Sequence, residues 1–297
     1  MSRLNVGIEE YVIPEPGTGP YSIASGPDGA LWFTEIAAGR IGRISVGGEF
    51  EVFPLPARDG RPAVITTGPD GALWFTQSQG NQLGRITRSG EVVLYPLPTP
   101  GAGPFGIASG PDGALWFTEL GANQIGRMTT GGEVREYPLP TPGAFPSMIA
   151  PGADGALWFT QNQGNSIGRI TLEGTLSQYP LPTTGAGPVG IAPGPDGALW
   201  FAEIQAGRIG RISLDGRVTE YAIRDGSRPH AIVTGPDGAL WFTQWGNNHI
   251  GRLTPAGDYS EFELPTPDSE PHGIAAGPDG ALWFAQERGS IGRLFLK

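Results

Sequence analysis

The stretch Gly26-Pro27-Asp28-Gly29-Ala30-Leu31-Trp32-Phe33-Thr34 decides the fold, because close copies of it return six more times. Its tryptophan recurs as Trp74, Trp116, Trp158, Trp200, Trp241 and Trp283, at intervals of 42, 42, 42, 42, 41 and 42 residues. An Ile/Leu-Gly-Arg triplet follows each one, ending at Arg43, Arg85, Arg127, Arg169, Arg211, Arg252 and Arg293. A third element of the type Glu136-Tyr137-Pro138-Leu139-Pro140 closes the unit. Within one unit, Ser22–Ser25 reads as a first strand and Gly26–Gly29 as a tight turn, with Pro presetting φ. Ala30–Thr34, Arg40–Ile44 and Phe50–Phe53 read as the second, third and fourth strands. No segment keeps a helical period. Four short antiparallel strands in about 40 residues is the pattern of a β-propeller blade.

The sequence therefore predicts an all-β, seven-bladed propeller of four-stranded antiparallel blades, a single domain over residues 1–297. The seventh unit stops after its third strand, at Leu294-Phe295-Leu296-Lys297. Glu9-Glu10-Tyr11-Val12-Ile13-Pro14, before the first unit, has the fourth-strand pattern. An N-terminal strand at about residues 8–14 is expected to complete blade 7 and close the ring. The seven Trp are expected to pack between blades. The Gly-Arg pairs are expected to pack or hydrogen-bond between blades in the same way. The residues ending each second strand (Glu35, Gln77, Glu119, Gln161, Glu203, Gln244, Gln286) read as structural, lining the channel or bonding adjacent blades.

Composition agrees. The 297 residues include 49 Gly and 30 Pro, enough to raise the question of disorder. The 8 Trp, 13 Phe and 7 Tyr answer it, since only a buried core repays so much aromatic surface. With no Cys, disulfides, thiolate metal sites and a Cys nucleophile are excluded. A net charge of −10 without a basic stripe argues against a nucleic-acid partner. No apolar run is long enough to span a membrane. Met1–Gly7 has no signal-peptide core, so the expected location is the cytoplasm. A closed ring is expected to act as a monomer. Lys297 is the sole lysine, an arginine bias that suggests a GC-rich bacterial genome.

Function on a symmetric ring belongs where the copies differ. Every first strand opens with Pro-x-x-Ile, and the residue after Pro is Tyr21, Ala63, Phe105, Ser147, Val189, His230 or His272. These side chains are expected to ring the mouth of the central channel. Two of only three His fall at this position in adjacent blades, whereas His249 reads as a surface loop residue after Trp245. Glu270 stands two residues before His272, where other units have Gly19, Arg61, Gly103, Phe145, Gly187 and Arg228. The stretch containing Gln286-Glu287 is one residue shorter than its counterparts. It could bring a second carboxylate beside Glu270, a pair suited to a hard divalent cation. The competing assignment pairs Glu287 with Arg288 in solvent.

At these residues the chain resembles the virginiamycin B (streptogramin B) lyase family along essentially its whole length. Arg228-Pro229-His230-Ala231-Ile232 and Glu270-Pro271-His272-Gly273-Ile274 are the most specific segments. Gly19–Ile23, Leu-Trp-Phe-Thr-Glu/Gln and Ile-Gly-Arg-Ile add weaker support. The resemblance implies a Mg²⁺-dependent carbon–oxygen lyase that linearises cyclic type B streptogramin depsipeptides, and so confers antibiotic resistance. It implies elimination at the lactone without water. It also implies His272 as general base, His230 on the substrate, and Glu270 as one metal-linked carboxylate. The other falls at Glu287, or at Gln286 if the blade 7 loop aligns one residue earlier. Tyr21 and Phe105 would receive aromatic groups of the substrate. The alternatives are a non-catalytic propeller binding a peptide, glycan or protein, and a related lyase or lactonase acting on another cyclic ester.

Overall fold

The computed structural model describes residues 4–297. Among them, 28 strands form seven four-stranded sheets. Blades 1 to 6 each use four consecutive strands, as in Pro20–Ser25, Leu31–Glu35, Arg40–Ile44 and Phe50–Pro54. Blade 7 takes Pro271–Ala276, Leu282–Gln286 and Ser290–Leu296, and its fourth strand is Val6–Val12 from the other end of the chain. The N-terminal strand thus lies two residues earlier than expected. Ser290–Leu296 runs seven residues, and Val6–Val12 pairs along all of it, from Val6 opposite Leu296 to Val12 opposite Ser290. Among the described residues, no helix is long and apolar enough to cross a membrane.

The repeated motif explains the blade. All seven repeat Trp are fully buried, and each joins a core cluster shared with the next blade, as Trp32 does with Ile65, Leu73 and Phe75. The indole still needs a hydrogen-bond acceptor, and the turn aspartate supplies it. Trp32 Nε1 donates to Asp28 Oδ1 at 3.1 Å, while Arg43 Nε donates to Asp28 Oδ2 at 2.7 Å. The same pair of bonds recurs in every blade. The arginines therefore act within their own blade, and the between-blade expectation for Gly-Arg is corrected. The Gly serves a different purpose: a Cβ on Gly42 would meet the Phe33 ring at 2.2 Å.

The polar residues ending the second strands are fully buried and neither line the channel nor reach the next blade. All but Glu203 bond the third or fourth strand of their own blade, and Gln77 also donates to the Ala57 carbonyl in the linker from blade 1. Arg40 donates to Glu35 at 2.8 Å, and Gln178 donates to Gln161 at 2.8 Å. Glu203 is the least compensated, with neither carboxylate oxygen hydrogen-bonded. Burial, then the nearby Glu220 charge, pushes its pKa up to about 8, against an opposing pull from Arg208. The folded state then holds a proton that the unfolded state releases near pH 4.3, so stability falls as pH rises between those values. Glu203→Gln mimics the amide found at Gln77, Gln161, Gln244 and Gln286. It is expected to raise Tm by a few degrees at about pH 8 and by little at about pH 4. Parallel Tm-versus-pH curves for the two proteins would refute this.

Candidate active site

Each first strand carries a β-bulge just after its proline. Pro20 pairs with Glu35 and Ile23 with Phe33, so Tyr21 and Ser22 share one opposing residue. The same shift occurs in all seven blades. A bulge re-aims a side chain out of the regular alternation, and here it serves the position that varies most in chemistry. The residue before each proline lies in the left-handed region. Gly19, Gly103 and Gly187 hold it at φ 66°, 60° and 63°, and Glu270 holds it at 54°. Left-handed backbone costs a non-glycine residue about 1–2 kcal/mol. Glu270 thus keeps its carboxylate at a position where glycine would relieve strain.

Tyr21, His230 and His272 come together across blades 1, 6 and 7. The His272 ring lies 4.6 Å from Tyr21, tilted by 34°, and 4.7 Å from His230, edge-on at 88°. Tyr21 Oη is 3.5 Å from His230 Nε2. Phe105 meets Tyr21 edge-on at 6.1 Å. Below them the ring axis opens into a cavity of about 140 Å³, lined among others by Tyr21, Phe105, Met148, Ile191 and His230. Four sequence-predicted residues are thus one cluster. Burial, with the His272 charge second, lowers the His230 pKa to about 3 and keeps that ring neutral. Burial, then the Glu287 charge, raises the Tyr21 phenol well above its usual range.

Glu287 joins the cluster. Its Oε2 is 2.6 Å from His272 Nε2, and this bond lowers the Glu287 pKa. A carboxylate only accepts, so the contact places the proton on Nε2 and leaves the lone pair on Nδ1. His272 is only 8% exposed, and its Nδ1 has no partner. His230 Nδ1 is likewise buried and unpartnered. The competing assignment, a solvent pair of Glu287 with Arg288, does not form. It is Glu270 that binds Arg288, at 2.7 Å. The two glutamates still meet through the backbone, where Glu287 N–H donates to the Glu270 carbonyl at 3.0 Å.

Gln286 is fully buried on the other side of the strand end. It donates to Glu10 and accepts from Ser290, both at 2.8 Å. His249, expected on a surface loop, instead opens the third strand of blade 6, half-buried and opposite Gln244, because it occupies the register position of Gln82 and Gln124.

Trp245 was the residue missed. Its ring lies 6.3 Å from His272, Arg228 sits 5.3 Å over its face, and its buried Nε1 has no partner. A second depression of about 480 Å³ extends past Trp245, Asn247, Glu270 and Arg288. The signal was present in the chain. Trp245 is the one Trp outside the repeat, and it occupies the same blade position as Glu287.

Among the described residues, no group of three or more His, Cys, Asp or Glu side chains forms a metal cage. Mg²⁺ does not require one, since it commonly takes one or two carboxylates and keeps water or substrate as its remaining ligands. Glu270 and Glu287 are the residues that could hold it; in this structure their carboxylates engage Arg288, 65% exposed, and His272.

The fold and site define a seven-bladed propeller with a histidine pair, one member carboxylate-bound, at the mouth of its channel. A profile described as the virginiamycin B lyase family matches residues 6–294. The chain belongs to that family. A solved streptogramin B lyase is 45% identical, covers 99% of this chain and 98% of its own, and superposes with a TM-score of 0.95. A catalytically inactive histidine-to-alanine variant of virginiamycin B lyase from Staphylococcus aureus, solved with quinupristin, is 43% identical. It has a TM-score of 0.95 and covers 99% of this chain and 100% of its own. Virginiamycin B lyase of Saccharopolyspora erythraea is 55% identical over 52 residues, 18% of this chain and 17% of that protein. That aligned stretch is under a fifth of the curated relative's length.

Proposed function

We propose that this protein is a lyase that linearises cyclic type B streptogramins by elimination at the lactone ester, with Mg²⁺ as cofactor. The observation that carries the reading is His272: a buried imidazole with Nε2 on Glu287, a free Nδ1, and Tyr21 and His230 against its ring. Quinupristin in the homologous propeller supports the substrate class.

His272 Nδ1 takes the proton α to a carbonyl, as a neutral imidazole is suited to do near neutral pH. The C–H electron pair forms a C=C bond, and the C–O bond breaks with its pair leaving as a carboxylate. The Glu287 carboxylate stabilises the imidazolium that results, as an orienting acid does in a hydrolase triad. His230 stays neutral and holds the substrate by hydrogen bonding. Tyr21 and Phe105 supply an apolar wall that excludes water. Glu270 and Glu287 would hold Mg²⁺, which when bound supplies Lewis-acid stabilisation of charge developing on the carbonyl oxygen.

Incubating quinupristin with the protein and Mg²⁺ is expected to give a linear product of unchanged mass, and chelation is expected to suppress it. Mass spectrometry decides between the readings. A gain of one water would identify a lactonase, and an intact ring with folded protein would leave a binding propeller.

A further inference from the structure

The bulges of the first strands are held by a hydroxyl that is not present in every blade. Opposite the bulge stands Thr34, Thr76, Thr118, Thr160 or Thr243, but Ala202 in blade 5 and Ala285 in blade 7. Each of these threonines makes two bonds. Its Oγ1 accepts the N–H of the second bulge residue in its own blade: Ser22, Val64, Gly106, Met148 or Ala231, at 2.9–3.1 Å. It then donates to the carbonyl of the first bulge residue in the next blade. Those acceptors are Ala63, Phe105, Ser147, Val189 and His272, at 2.6–2.9 Å.

The residues at the channel mouth therefore fall into two classes. The His272 carbonyl is tied by Thr243, by the shortest of these bonds, 2.6 Å. The carbonyls of His230 and Tyr21, which flank His272 around the ring, follow Ala202 and Ala285 and receive no such bond. Thr243 is fully buried, so water does not substitute readily for its hydroxyl. Its second bond, from Ala231 N–H at 3.0 Å, runs to the residue after His230. One hydroxyl thus links the strand carrying His230 to the backbone of His272. A base must be held within a fraction of an ångström of its proton, and a misplacement of about 1 Å can cost about 10²-fold in rate.

We infer that Thr243 is a positioning residue for His272, fixing the backbone from which the imidazole reaches the substrate. The inference rests on the lyase reading above. Alanine already occupies the equivalent places 202 and 285, so Thr243→Ala fits this fold. It is expected to lower kcat about 10- to 100-fold with KM changed less than about twofold. Thr243→Ser, which restores the hydroxyl, should recover most of the loss. Thr118→Ala removes the corresponding hydroxyl in blade 3, across the ring, and should lower Tm comparably while leaving kcat unchanged. Wild-type kcat in Thr243→Ala, or an equal kcat loss in Thr118→Ala, overturns the inference.

Histidine ring spectra separate this failure from failure of the lyase reading, because they need no turnover. Long-range ¹H–¹⁵N signals of His272 should move in Thr243→Ala and stay in Thr118→Ala. Unmoved His272 signals in Thr243→Ala overturn the positioning role even if the substrate is something else.

Discussion

His272→Ala is expected to lower turnover of quinupristin by about 10²–10⁴-fold while the protein melts within a few degrees of the wild type. The rate loss follows from the site having one imidazole held by a carboxylate, which fixes its tautomer and stabilises its protonated form. His230 cannot replace it: its pKa is lowered to about 3 by burial, and its Nε2 faces Tyr21 Oη. Tyr21 is a poorer substitute still, since burial keeps the phenol protonated. The stability argument is separate. His272 belongs to none of the seven clusters that pack blade against blade. The bond from Thr243 is to its backbone carbonyl, which alanine retains. The carboxylate left behind on Glu287 is 39% exposed and can be hydrated. Steady-state kinetics beside a melting curve checks both halves. Turnover within tenfold of wild type would remove His272 as the base.

The same distinction separates what was legible in the sequence from what was not. Trp32 and its six copies were readable as ring builders, because the blades bury identical cores and so repeat identical residues. His230, His272 and Glu270 were readable because they break that repetition. Glu287 was harder. Its neighbour Gln286 occupies a repeated position, and the choice of partner for each glutamate depends on direction. In the folded chain the Glu270 carboxylate goes to Arg288 and the Glu287 carboxylate to His272. Residue spacing does not encode that exchange. Trp245 was overlooked for a related reason: its departure lies at the position after the second strand, not at the position after the proline. Comparing Ile36, Ser78, Leu120, Asn162, Ile204, Trp245 and Glu287 would have exposed a second variable ring of residues on the same face. The Arg-Asp-Trp bonds were invisible in a different way, because an invariant arginine in every unit is compatible with either an inter-blade or an intra-blade partner.

The two roles proposed for Glu287 predict different behaviour in two variants. Glu287→Ala removes both the acceptor for His272 Nε2–H and one of the two carboxylates assigned to Mg²⁺. Where an acid sets the tautomer of a catalytic imidazole, neutralising it costs up to about 10⁴-fold, so a loss of about 10²–10⁴-fold is expected. Glu287→Gln keeps an oxygen able to accept from Nε2 but offers a neutral amide to the cation. Its kcat at ordinary Mg²⁺ should fall, and saturating Mg²⁺ should recover only the part lost with the cation, since the neutral amide also removes the charge that stabilises the imidazolium; the half-saturating concentration should rise about tenfold or more. Glu287→Ala should stay low at every Mg²⁺ concentration, because added cation does not restore the tautomer. Titrating kcat against Mg²⁺ for the three proteins reads both roles at once. Recovery of the alanine variant would leave metal binding as the whole function of Glu287, and no recovery of the glutamine variant would leave orientation alone. Wild-type behaviour of both would remove Glu287 from the site. Gln286 could not then inherit the metal role as it stands, since its amide is buried and committed to Glu10 and Ser290.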